Sequence, residues 1–194
     1  QQDGLWQRIN EVLVKKVRQK AGRHEQPSAA VIDSQSVKTS EGGEERGVDV
    51  HKQTPGRKRH LVVDVLGLVL LVVVHSASIQ DGAGGLLTLQ KLFDHIKHSL
   101  HNRWCRLKLI WADGGYPSII DAVRQRFGWT LQIVKRSDDV KGFQVLPHRW
   151  VVERTFGWLG RYRRLARDYE HTTLSSESMV YIASTRRMLK MLAT

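Results

Sequence analysis

The sequence contains one cysteine, Cys105, among 194 residues. A single cysteine can form neither an internal disulfide nor a cysteine-based zinc site, and this scarcity is typical of proteins of the reducing cytoplasm. Long apolar runs are also missing. The longest, residues 68–74, is far too short to span a bilayer, and no signal peptide is recognisable. We therefore expect a cytoplasmic protein with no membrane partner.

Acidic residues are few compared with basic ones. The chain has 19 aspartates and glutamates against 31 lysines and arginines, which gives a formal net charge of +12. Such an excess favours a polyanionic partner, most often nucleic acid, although charge alone leaves a generic basic protein open. The length is sufficient for one domain with a real core. Because the chain starts at Gln1 and not at methionine, we expect it to be part of something longer.

Apolar periodicity predicts alternating strands and helices. Short β-branched or alternating runs predict five strands, at residues 29–33, 61–64, 68–75, 107–111 and 130–135. Helical spacing of apolar residues predicts five helices, at residues 5–21, 86–100, 117–127, 147–166 and 175–192. Residues 40–55 are rich in glycine and charge, and this composition predicts a mobile loop.

The order of these elements predicts an α/β fold with a five-stranded mixed sheet flanked by helices. A hairpin turn at residues 64–67 makes the first three strands antiparallel, and helical crossovers place the fourth and fifth strands parallel to the first. The first and fourth strands are then neighbours. We assign residues 29–194 to this domain and residues 1–28 to a separate N-terminal helical segment.

Three acids stand where this topology could bring them together. Asp33 ends the first predicted strand, Asp113 follows the fourth, and Glu153 lies near the start of the long helix. Ligands of α/β sheets gather at the carboxyl ends of strands. Carboxylates on a rigid frame can hold Mg²⁺ for phosphodiester chemistry. For Glu153 taken alone, a salt bridge to Arg149 four residues earlier is the favoured explanation, because such pairs are common on helices.

Four segments carry a family resemblance. They are Asp33-Ser-Gln-Ser-Val-Lys38, Gly56-Arg-Lys-Arg-His60 with Val63-Asp-Val-Leu-Gly67, Ala112-Asp-Gly-Gly-Tyr116, and Trp150-Val-Val-Glu-Arg-Thr-Phe-Gly-Trp-Leu159. As an ordered set they resemble segments of bacterial insertion-sequence transposases of family five, over residues 29–169. Those are DDE enzymes with a ribonuclease H-like catalytic domain, named for two aspartates and a glutamate.

The resemblance implies the roles of particular residues. Asp33, Asp113 and Glu153 would be the catalytic acids and the ligands of Mg²⁺ or Mn²⁺, with two ions bound. Of the family's Tyr–Arg–Glu–Lys signature, Arg149 occupies the arginine position, whereas Leu146 replaces the tyrosine. Gly160 replaces the lysine, with Arg161 next to it.

The resemblance also implies an activity and its partners. The activity is cleavage at insertion-sequence ends followed by strand transfer into target DNA. The partners would be transposon-end and target DNA, with a homodimer on paired ends, in the bacterial cytoplasm at the nucleoid. Residues 1–28 would be the remnant or linker of a DNA-binding region. A ribonuclease H-like nuclease without strand transfer and an inactive relative that only binds DNA remain alternatives.

Basic residues near the three acids are candidates for contact with DNA phosphates rather than a merely solvated surface. Asp64 competes for the role of second acid, but its Asp-Val-Leu-Gly context favours a hairpin turn. His95, His98 and His101 drift around a helix and do not favour a shared metal site. The predicted DNA-binding residues are Lys38, Arg57, Lys58, Arg59, His60, Arg149, Arg154, Arg161 and Arg164.

Overall fold

A computed structural model describes residues 4–40, 42–98, 104–134 and 149–194. The helices are α1 (Leu5–Lys20), α2 (Asp81–Lys97), α3 (Ile120–Phe127), α4 (Trp150–Gly160) and α5 (Thr173–Ala193). The strands are β1 (Ala29–Lys38), β2 (Gly47–Asp49), β3 (Thr54–Asp64), β4 (Val69–Ser76), β5 (Leu109–Ala112) and β6 (Thr130–Ile133). Short 3₁₀ turns occupy Pro117–Ile119 and Arg163–Leu165.

The strands form one mixed sheet with β1 at its centre. β1 pairs antiparallel with β3 on one side and parallel with β5 on the other, and β6 lies parallel to β5. β3 also pairs antiparallel with β4 and, at its start, with β2. All predicted strand directions are confirmed, and so is the α/β fold class; the arrangement is consistent with a ribonuclease H-like fold. The added strand β2 lies in the segment that was predicted to be only a loop.

Helices cover both faces of the sheet. Residues alternate between the two faces along β1, so that Ile32 packs with Leu89 of α2, whereas Val31 packs with Val152 and Phe156 of α4. α1 packs against α5 and contributes Leu13, Val14 and Val17 to the core. The separate origin proposed for residues 1–28 stays a prediction. Within the described ranges, no helix is both long and apolar enough to cross a bilayer.

The prediction that Asp33 ends a strand is wrong. β1 runs on to Lys38, because β3 stays paired with it as far as the Lys38–Gly56 pair. The parallel pairing of β1 with β5 does end earlier, at the Val31–Trp111 pair. Asp33 therefore lies just beyond the parallel part of the sheet but inside a continuing antiparallel strand.

Two helix boundaries differ most from the prediction. α2 begins at Asp81 and not at residue 86, and it includes three glycines that a propensity argument places outside a helix. Two of these glycines are required by packing, since a Cβ on Gly84 would lie 2.5 Å from His75 Nε2 and one on Gly85 would lie 2.5 Å from Tyr116 Cε1. α4 ends at Gly160 rather than at residue 166. Predicted features at residues 99–101, 135 and 137–148, including Leu146, lie outside the described residues.

Candidate active site

Asp33 and Asp113 occupy matching positions on neighbouring parallel strands. Val31 of β1 is paired with Trp111 of β5, and each aspartate follows two residues later. Val31 belongs to the core on the α4 side of the sheet, and Trp111 packs against it. Alternation along β1 gives Asp33 that same side, and Asp113 lies 3.7 Å from Arg149, the residue before α4. The prediction that the strands carrying the two acids are neighbours is confirmed.

Backbone amides fix both carboxylates. The Ser34 N–H donates a hydrogen bond to Asp33 Oδ1 at 2.7 Å, and the Gly115 N–H donates one to Asp113 Oδ1 at 2.8 Å. Gly115 sits in a tight space, where a Cβ would approach Asp113 Oδ1 to 3.1 Å. The run Asp113-Gly-Gly therefore forms a turn that presents the carboxylate at the end of β5.

The charged form of Asp33 is disfavoured in the isolated chain. Burial and the neighbouring charge of Asp113 raise the pKa of Asp33 from 3.8 to about 7. Two carboxylates that repel each other in this way are stabilised by a shared cation. Mg²⁺ is commonly held by one or two carboxylates, with water and substrate phosphate completing its shell. The pair therefore fits a divalent cation.

A complete cage is not formed by side chains alone. Among the residues that the structure describes, no three His, Cys, Asp or Glu side chains are grouped to hold one metal ion. The third predicted acid, Glu153, is 50% exposed and is linked to Asp113 through Arg149. Arg149 Nη2 lies 3.2 Å from Glu153 Oε1 and 3.7 Å from Asp113 Oδ2.

Arg149 thus has both relationships that the sequence left open. It forms the salt bridge to Glu153 within the helix, and it also reaches the acid at the end of β5. Its Nε is buried and has no hydrogen-bond partner among the described residues, so a donor remains for an incoming acceptor. Together these contacts leave the guanidinium beside Asp113 as a counter-charge and as a hydrogen-bond donor for an anion.

Sequence reasoning missed Asp81, which lies at the edge of this site. Asp81 Oδ1 accepts hydrogen bonds from Ser34 Oγ at 2.7 Å and from Lys58 Nζ at 2.9 Å. Partial burial raises the pKa of Asp81, but the hydrogen bonds from Lys58 and Ser34 outweigh it and lower the pKa overall. A Cβ on Gly115 would lie 3.3 Å from Asp81 Cβ. Because three of the four residues after Asp81 are glycines, helix propensity did not predict that a helix starts at Asp81.

Tyr116 lies near the site, in the core on the α2 side of the sheet. Its side chain is fully buried, and burial together with the charge of Asp33 raises its pKa well above the ordinary value. The phenol therefore keeps its proton at neutral pH. Tyr116 belongs to the Ala-Asp-Gly-Gly-Tyr segment that carried part of the resemblance, but no role was predicted for it.

The prediction that the four basic residues of β3 face DNA is wrong. Arg57, Lys58, Arg59 and His60 are at most 3% exposed, because β3 is flanked by β1 on one side and β4 on the other. Buried cations need partners, and these have them. Arg57 donates to the carbonyl of Glu170 at 2.8 Å.

The other three residues of this group are equally occupied. Arg59 donates to the carbonyl of Leu165 at 2.8 Å, and Lys58 donates to the carbonyl of Ile79 at 3.0 Å in addition to its contact with Asp81. Burial and the charge of His75 lower the pKa of His60 to about 3, so its ring is neutral at pH 7. The β3 cations hold the sheet to its surrounding loops.

The remaining predicted DNA-binding residues do not share one environment. Lys38 and Arg161 are exposed, and Arg164 is exposed but paired with Glu170 at 2.7 Å. Arg154 lies between two indole rings, 4.1 Å from the centre of Trp150 and 4.4 Å from that of Trp158. Contact of these four residues with DNA stays a prediction.

Asp64 is structural, as its sequence context indicated. It is fully buried in an ion pair with Arg18, and its Oδ1 accepts from the N–H groups of Leu66 and Leu68 at 2.9 Å. Gly67 completes the turn with a φ of +79°, which favours glycine. Asp64 is therefore tied to the β3–β4 turn.

Comparison with known proteins gives a consistent result. The family model described as "Transposase DDE domain" matches residues 24–183. The chain is also 35% identical over 118 residues to a protein assigned as the transposase for insertion sequence element IS402 of Burkholderia cepacia. That match covers 60% of this chain and 54% of the relative, so the chain spans about half the length of the curated relative. No solved structure was found to match the chain.

Proposed function

Because this chain belongs to the transposase DDE domain family, we propose that it cuts DNA at the ends of an insertion sequence and transfers the freed 3′ hydroxyl to target DNA. The observation that carries the proposal is the pair of Asp33 and Asp113, held at matching positions of two parallel strands with Arg149 and Glu153 beside them. This arrangement supplies carboxylates for a cation and a guanidinium for a phosphate.

Asp33 and Asp113 would hold a divalent cation, Mg²⁺ or Mn²⁺, with Glu153 as the third ligand. When bound at such a site, one or two of these ions activate the attacking oxygen and stabilise the leaving oxygen of a phosphodiester. The raised pKa of Asp33 supports this assignment, since a bound cation would supply the positive counter-charge that the ionised carboxylate needs.

The side chains of the chain itself would orient the reacting phosphate. Arg149 would donate to a non-bridging phosphate oxygen, exchanging its long contact with Asp113 for a charge-assisted hydrogen bond. The amides of Ser34 and Gly115 would keep both carboxylates in place. Glu153, which is half exposed on α4 and paired with Arg149, would move towards the cation when the cation binds.

The exposed cations would bring DNA to the acids. Lys38, Arg161 and Arg164 are exposed, and the chain carries a net charge of +12. Each phosphate that a cation neutralises releases counterions, so binding would weaken steeply with salt. We propose transposon-end and target DNA as the partners, with two copies of the protein holding paired ends.

The test is incubation with candidate insertion-sequence ends and Mg²⁺ or Mn²⁺, followed by separate analysis of nicked and joined products. The proposal expects both products and neither of them in EDTA. Nicked DNA without joining would support the nuclease alternative. Binding without either product would support a relative that has lost the chemistry.

A further inference from the structure

A second site lies on the other side of α4. A cavity of about 860 Å³ opens between α4, α5 and the β3–β4 turn. None of its lining residues is an aspartate or glutamate, within the part of the chain that the structure describes. Its five cations are Arg154, Arg161, Arg186, Arg187 and Lys190.

Two of these cations share one aromatic ring. Arg154 Cζ lies 4.4 Å from the centre of the Trp158 ring, and Arg187 Cζ lies 3.3 Å from the same centre. Burial and the charge of Arg154 lower the pKa of Arg187 to about 10. Asp64 also acts on Arg187, but it is already engaged in its ion pair with Arg18. An anion in the cavity would relieve the repulsion between the two guanidinium groups.

The backbone of the β3–β4 turn holds both guanidinium groups in place. Arg187 Nη1 donates to the carbonyl of Gly67 at 3.0 Å, and Arg154 Nη2 donates to that of Leu66 at 3.4 Å. The Arg154 Nε is buried and has no partner among the described residues. The cavity is therefore a built cationic site whose geometry exists before any ligand arrives.

Aromatic surface distinguishes this site from a simple phosphate patch. Trp150, Trp158 and Tyr162 line the cavity, and Trp150 is 39% exposed. Cations combined with stacking rings in a concave surface are typical of sites for unpaired nucleic acid, whose bases can lie against the rings. An acidic peptide would use the cations but would gain little from stacking.

The helix α4 contributes residues to this cavity and also carries Glu153 of the acid site. Arg149 and Glu153 lie on one side of α4, and Trp150, Arg154 and Trp158 repeat every four residues along another. We propose that the cavity binds unpaired nucleotides of the DNA strand next to the position that is cut, a proposal that rests on the proposed function. Arg186, Lys190 and Arg161, which are exposed, would contact phosphates, and Trp150 would stack on a base.

The experiment measures binding of a fluorescent single-stranded oligothymidylate to the full chain in EDTA, where no cleavage can occur. The double variant Arg186→Ala with Lys190→Ala is expected to weaken binding about tenfold or more. Trp150→Ala is expected to weaken it by a similar factor without changing net charge. The matched control is Arg124→Ala with Arg126→Ala, which removes two exposed charges from α3, away from the cavity.

Equal losses in the cavity variant and the α3 control would overturn the proposal, since binding would then follow net charge alone. Unchanged binding in all variants would overturn it as well. The proposal would also be overturned if oligothymidylate did not bind and polyglutamate bound to the wild type but not to the cavity variants. Cleavage of end DNA by the wild type is measured separately with Mg²⁺. Cleavage without cavity-dependent oligothymidylate binding would remove this inference alone. Absence of cleavage would remove the proposed function.

Discussion

At the scale of single residues, the raised pKa of Asp33 makes the stability of the fold depend on pH. Its pKa in the folded chain, about 7, lies above the ordinary value of 3.8. The folded state therefore binds a proton that the unfolded state releases. The stability that this proton provides is complete below pH 3.8 and is lost as the pH rises to about 7.

Asparagine at this position cannot ionise, so Asp33→Asn should be more stable than the wild type in EDTA above pH 7. The gain should shrink as the pH falls towards 3.8. Thermal unfolding of both proteins across this range measures it. The control is Asp121→Asn, an exposed acid at the start of α3. Equal stabilities of wild type and Asp33→Asn at every pH would show that Asp33 ionises freely.

A divalent cation should reverse this effect. Mg²⁺ binds the folded chain and needs the deprotonated carboxylate, so it should raise the Tm more at about pH 8 than at about pH 6. Asp33→Asn should lose this rise, whereas Asp121→Asn should keep it. A rise that is the same in Asp33→Asn would place the cation elsewhere.

Arg149 can be separated from a purely structural role. Its pair with Glu153 on a helix is worth only about 0.2–0.5 kcal/mol of stability. Because Arg149 also lies 3.7 Å from Asp113, Arg149→Ala should lower cleavage far more than it lowers DNA binding or Tm. Partial recovery is expected in Arg149→Lys, which keeps the charge but not the fork of donors. Wild-type cleavage in Arg149→Ala would leave only the salt bridge.

At the scale of elements, sequence periodicity predicts which helices and strands exist better than it predicts where they begin and end. The strand directions followed from the hairpin at residues 64–67 and the helical crossovers, and those rules are local. The extension of β1 to Lys38 could not be predicted, since it depends on pairing with residues of β3 that are far along the chain. Arg57 and Arg59 resemble surface residues in sequence, and only the flanking strands and loop carbonyls make their burial tolerable.

The glycines of α2 offer a test of packing at this scale. Gly84→Ala should destabilise the fold by about 1–3 kcal/mol, the usual range for overpacking. The added Cβ would lie 2.5 Å from His75 Nε2 and 2.6 Å from His60 Cε1. Gly157→Ala in α4 is the matched control, since nothing lies within 4 Å of its Cβ position. It should stabilise by about 0.5–1 kcal/mol through helix propensity. Urea unfolding measures both, and equal effects of the two substitutions would show that close packing at Gly84 does not limit the side chain at that position.

At the scale of the whole molecule, the sequence predicted the fold class and the adjacency of two acids. It did not predict how the charge is distributed. The 31 lysines and arginines behind the net charge of +12 include buried ones that stabilise the sheet and exposed ones that could meet DNA. Asp81 was missed because its partners, Ser34 and Lys58, come from two other elements. The cavity beside α4 was missed because its lining residues come from separate elements as well.

We propose that Asp33 and Asp113 act together as the metal-holding pair of a DNA-cutting site. The most direct measurement is cleavage of end DNA with Mg²⁺ by Asp33→Asn and Asp113→Asn, with DNA binding recorded on the same samples and Asp121→Asn as control. Both variants should lose cleavage and keep nearly all DNA binding, because asparagine preserves the shape of the side chain but removes the charge that holds the cation. Cleavage at the wild-type rate in either variant would contradict the proposal.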